Sequence, residues 1–109
     1  MQLFTPIIIQ TTFPTHIDIS SFCADILNNQ LAACVHCFNN IQSYYTWNDA
    51  VESSKEQLIQ IKTIQRLYPD IEKKINHIHP YDTPEIIKLP IEQLSIKYQE
   101  WFQSVIKSQ

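Results

Sequence analysis

The chain has 109 residues, with seven lysines and one arginine against eleven carboxylates and a formal charge of −3 at pH 7. That length suits one domain spanning 1–109, with a single core helped by self-association. No like-charge run exceeds Lys73-Lys74, so the basic stripe of a nucleic-acid binder is absent, and no window approaches the roughly 18 apolar residues of a membrane helix.

In chain order, the β-branched run Pro-Ile-Ile-Ile-Gln-Thr-Thr at 6–12 reads as a buried strand. Ile19, Phe22, Cys23, Ile26 and Leu27 then follow at helical spacing, with Thr15 and Asp18 as the expected capping box. Residues 33–46 read as a long strand broken at Asn39-Asn40. Residues 51–63 read as its partner, across a hairpin turn at Trp47-Asn48-Asp49-Ala50. A second helix ends near Ile78, with Pro69 in its first turn and Leu67, Ile71, Ile75 and Ile78 on one face. A short strand, Glu85 to Leu89, precedes a last helix capped by Ser95 and packed through Tyr98, Trp101, Phe102 and Val105.

The order β-α-β-β-α-β plus a terminal helix is the α+β, ferredoxin-like split βαβ arrangement, with helices on one face of an antiparallel sheet. A strand of about 13 residues spans roughly 43 Å, against a radius of gyration of about 13 Å for a compact chain of this size. The central hairpin should therefore project, exposing Tyr44, Tyr45 and Trp47 and main-chain edges that invite a symmetric partner.

The chain contains no glycine. The loss excludes glycine-rich phosphate loops, dinucleotide fingerprints and the aromatic RNA-recognition motif, and it leaves asparagine and aspartate to supply positive φ. Those positions are expected at Asn28-Asn29, Asn39-Asn40 and Asn48-Asp49. The sole arginine, Arg66, does not follow the first strand, as an acylphosphatase-like phosphate cradle would require.

Of three cysteines, Cys34 and Cys37 form a CxxC with no second pair to complete a zinc site. Their odd spacing on a strand points them to opposite faces, so packed thiols are expected and a disulfide is not. Reduced thiols, together with an N-terminus MQLFTPIIIQ that lacks basic residues before its apolar stretch, suggest the cytoplasm. His16, His36 and His77 read as surface residues, His36 being a weak candidate for metal.

Leu-Ala-Ala-Cys-Val at 31–35, Ser-Tyr-Tyr-Thr-Trp at 43–47, Ile-Lys-Thr at 61–63 and His-Pro-Tyr-Asp-Thr-Pro-Glu-Ile at 79–86 resemble the CutA divalent-cation-tolerance family. The resemblance covers about 6–105. It implies a stable homotrimer, a fold similar to PII-type signalling proteins, and weak binding of a divalent, copper-like ion or a small ligand between subunits. No enzyme activity and no obligatory cofactor are implied. Family positions proposed to hold copper match Gln10, Ile78 and His79, of which only His79 keeps a ligand side chain, so the metal expectation rests on His79. Lys62, Tyr81, Glu85 and Trp47 are the expected cleft residues, with Lys62 and Glu85 as an ion pair. The alternatives are a structural, protein-contacting trimer and a PII-like signalling module without a dedicated metal site. Before any ligand, the two prolines make 77–86 a stiff turn, since each restricts the residue ahead of it.

Overall fold

The computed structural model describes residues 4–108. Strand β1 (Pro6–Pro14) leads into helix α1 (Ser20–Asn28). The long strands β2 (Cys34–Trp47) and β3 (Ala50–Ile64) follow, then a 3-10 turn at Gln65–Leu67 and helix α2 (Tyr68–Ile78), and finally strand β4 (Ile86–Pro90) and helix α3 (Ile96–Val105). All pairings are antiparallel in the order β2-β3-β1-β4, the sheet of a ferredoxin-like fold.

Alternation along the central strands sorts the two faces. Ile7, Ile9, Thr11 and Phe13 of β1, with Ile59, Ile61 and Thr63 of β3, are buried under the helices, beside Phe22, Ile26, Ile71, Ile75 and Phe102. The opposite face carries Ile8 and Gln10 of β1, Leu58, Gln60 and Lys62 of β3, and Ile87 and Leu89 of β4. These residues are only partly covered or exposed.

Backbone exceptions fall where the chain reverses or bulges. Asn48 and Asp49 both take positive φ (51° and 62°), which gives the two-residue turn the primed geometry that follows strand twist. Between Phe38 and Ile41 the β2–β3 register slips by a residue, and Asn40 (φ 62°) absorbs the bulge. The helix end differs from expectation. Asn29 stays right-handed, and Gln30 (φ 56°) takes the left-handed position. Its N–H reaches Leu27 O at 3.0 Å and that of Leu31 reaches Ile26 O at 3.0 Å, the paired bonds of a Schellman cap.

Three other expectations are corrected. No capping box forms at α1: its N-cap is Ile19, and Asp18 Oδ1 instead accepts from Ser20 N at 2.9 Å and Ser20 Oγ at 2.7 Å. Ile78 and Trp101 lie partly outside their helices' buried stripes, 38% and 43% exposed. Ser95 does cap α3, its Oγ accepting from Tyr98 N at 3.4 Å. The molecule measures 48 × 27 × 23 Å with a radius of gyration of 15.0 Å, so the hairpin extends past the body as its length requires.

Candidate functional site

The connector after α2 is wired into β1 and β3. His79 caps α2, its N–H bonding Ile75 O at 2.9 Å while ψ swings to 132° ahead of Pro80. Its ring lies 4.4 Å from that of Phe13 in a stacked arrangement. His79 Nε2 is 2.6 Å from the Thr12 carbonyl, and the Tyr81 N–H is 3.1 Å from His79 Nδ1. A carbonyl can only accept and an amide N–H only donate, so the network assigns the neutral Nε2–H tautomer with both nitrogens engaged. A metal ion here must displace one of these bonds.

Tyr81 continues the network, its hydroxyl donating to Glu56 Oε2 at 3.0 Å. Glu56 is only 5% exposed. Burial, then the hydrogen bond and charge of Glu56, push the Tyr81 phenol up to about 12. Tyr45 Oη and Ser54 Oγ, 3.3 Å apart, adjoin this cluster where the hairpin leaves the body.

Glu85 belongs to a separate line. Gln60 Nε2 donates to Gln10 Oε1 at 3.0 Å, and Gln10 Nε2 donates to Glu85 Oε2 at 3.1 Å, a chain of amides crossing β3 and β1 to the start of β4. Lys62 does not reach Glu85. Its Nζ lies 3.4 Å from Tyr98 Oη and 5.5 Å above that ring, so the expected ion pair is replaced by a hydroxyl and an aromatic face. Trp47 stands at the hairpin tip, 55% exposed.

The expected cleft residues therefore occupy distinct places within one protomer. Trp47 pairs with Ala50 and Cys34 with Lys62, so the tip and Lys62 lie at opposite ends of β3, roughly 40 Å apart at the usual rise per residue. Only a tip from another copy can meet Lys62. Among the described residues no group of three or more His, Cys, Asp or Glu side chains is placed to hold a metal ion. Gln10 sits in the amide chain, and Ile78, at the end of α2, supplies no donor atom.

Glu56 and the Gln60–Gln10 bonds escaped the sequence reading. Glu56 shares its alternation with Leu58 and Gln60, and its partner Tyr81 is 25 residues away, so no local pattern marks it. A signal did exist for Gln57, which occupies the buried phase of Ile59 and Ile61 and donates to the Pro14 and Ile17 carbonyls at 3.2 and 2.7 Å.

Comparison with known proteins places these features in context. The family model described as CutA1 divalent ion tolerance protein matches residues 7–105. Protein CutA, chloroplastic, of Arabidopsis thaliana is 38% identical over 90% of this chain and 54% of its own, and human Protein CutA is 36% identical over 76% and 46%. The chain spans about half the length of these curated relatives. It covers 91% of the divalent-cation tolerance protein CutA of Thermus thermophilus, at 29% identity over 86% of this chain. Among solved structures, CutA1 of Oryza sativa superposes with a TM-score of 0.88 (32% identity, 97% of each chain). That of Ehrlichia chaffeensis gives 0.86 (33% identity, 98% of this chain and 100% of that one).

Proposed function

The chain belongs to the CutA1 divalent ion tolerance family, and from that premise we propose that it is a non-catalytic homotrimer that binds a divalent, copper-like ion weakly, or a small ligand, in clefts between subunits. The observation that carries the reading is the projecting hairpin. Its aromatic tip lies too far from Lys62 and Glu85 to share a cleft with them in one protomer, yet it is long enough to complete that cleft in a neighbour. His79, Tyr81 and Glu85 supply the polar wall and Trp47 of another copy the lid, while the charge of Lys62 suits an anionic small ligand rather than the ion. The relatives' names, divalent-cation tolerance protein CutA, support a role in the response to metal ions.

Weak binding follows from the His79 network: an ion gains one imidazole nitrogen and must break a hydrogen bond for it, with no thiolate at Gln10 and no imidazole at Ile78. Copper held at His79 is expected, by calorimetry, to bind no tighter than about micromolar, near −8 kcal/mol. His79→Ala should weaken that binding and leave the oligomer assembled. Nanomolar affinity that the substitution abolishes, or an oligomer that it disrupts, would contradict this reading.

Three free thiols favour a reducing compartment such as the cytoplasm. Among the described residues no helix is long and apolar enough to cross a membrane. Plant relatives are named chloroplastic and an Archaeoglobus fulgidus relative periplasmic, so fractionation of the native host decides the location.

A further inference from the structure

The open face of the sheet carries donor atoms that the His79 site does not use. Val35 packs against the core, and Cys37 sits within 3.7 Å of Gln57 Oε1, a side chain whose amide reaches the loop before α1. Alternation therefore turns Cys34 and His36 to the opposite face. Two such residues on a strand stand roughly 6.6 Å apart. A thiolate and an imidazole can close that gap on one ion, with metal–sulfur and metal–nitrogen bonds of about 2.3 and 2.0 Å.

The register sets Gln60 directly opposite His36 and Lys62 opposite Cys34. The orientation of the Gln60 amide is fixed from the far side of the sheet. The Glu85 carboxylate can only accept, so Gln10 must turn its NH2 toward it, and the Gln10 carbonyl then faces β3 and receives the Gln60 NH2. With its NH2 committed to Gln10, the Gln60 side chain has its Oε1 left to offer a ligand, across the strand pair from His36. Lys62, whose ammonium would repel a cation beside Cys34, is drawn aside to Tyr98.

We propose that Cys34, His36 and Gln60 form a site for a borderline divalent cation of the zinc class, with sulfur, imidazole nitrogen and amide oxygen as ligands and water completing four-coordination. Thiolate and imidazole select this class over calcium or magnesium, which prefer all-oxygen shells. The site shares no residue with the His79 connector and stands or falls independently of it.

Cobalt(II) is the probe, because a thiolate bound to cobalt gives a charge-transfer band in the near ultraviolet. Titration of the full chain is expected to raise this band to one equivalent per protomer, with zinc displacing it. Cys34→Ser should abolish the band and His36→Asn should weaken cobalt binding at least tenfold, while Cys37→Ser and His79→Ala leave both unchanged. Thermal melts confirm that each variant is folded. Absence of the band at millimolar cobalt, its survival in Cys34→Ser, or its loss in Cys37→Ser would overturn the assignment. Weakened calorimetric binding in His79→Ala with the cobalt band intact separates the two sites.

Discussion

Glu56 buries a carboxylate whose hydrogen bond comes from Tyr81, and this pair makes the connector a structural device before any ligand arrives. Removing the phenol in Tyr81→Phe leaves a buried acceptor short of a donor, a loss of about 1–3 kcal/mol in stability at neutral pH. The pH dependence follows from the direction of the shift. Tyr81 ionises at about 12 in the folded chain against an ordinary value of 10.0, so its neutral form is favoured by folding. The stabilisation is complete below pH 10.0 and is lost as pH rises toward 12. Chemical denaturation across that window should show the wild type losing more stability than Tyr81→Phe. Equal slopes would mean that the phenol is not held by Glu56. The thiols give a second test at this scale. Burial pushes Cys37 up, and burial followed by the charge of Cys37 pushes Cys23 up, so neither is an activated nucleophile. With Cys34 on the other face, thiol counting on denatured, non-reduced protein should find three free groups. A count of one would place two of them in a bridge, and a bridge that mapping assigns to Cys34 and Cys37 would refute the strand alternation.

Among the elements, the ends show how far sequence patterns reach. β1 was legible because its β-branched run is bounded by Pro6 and Pro14, and the long hairpin because Asn48-Asp49 marks its turn; both of these residues and Asn40 did adopt positive φ. The end of α1 was not, since Asn28-Asn29 looks like the stop signal while the Schellman geometry assigns the left-handed position to Gln30. A non-glycine residue there carries backbone strain of about 1–2 kcal/mol, partly recovered in glycine's greater unfolded-state entropy. Gln30→Gly is therefore expected to stabilise the chain by roughly 0.5–1 kcal/mol in denaturant melts. A destabilisation would show that the Gln30 side chain contributes more than its backbone costs. The candidate site was legible only where it is contiguous. His79, Pro80, Tyr81 and Glu85 stand together in sequence, whereas Lys62 finds Tyr98 from 36 residues away and Gln60 finds Gln10 from 50. Such pairings depend on strand register across the whole sheet, which no local pattern encodes.

The whole molecule is elongated by its hairpin, and the surface there is out of character for a lone subunit. Tyr44 is 73% exposed, and Tyr45, Trp47 and Val51 are exposed beside it, while Phe38, Ile87 and Leu89 add apolar area on the open sheet face. Apolar surface of this kind, flanked by the unpaired edges of β2 and β4, favours pairing with further copies. Completion of each cleft by a neighbour's hairpin is the central claim, because the ligand cleft between subunits depends on it. Light scattering on the purified chain at micromolar concentration tests it most directly. The account predicts a mass three times the 12.8 kDa of one chain, and a particle of 12.8 kDa would contradict it.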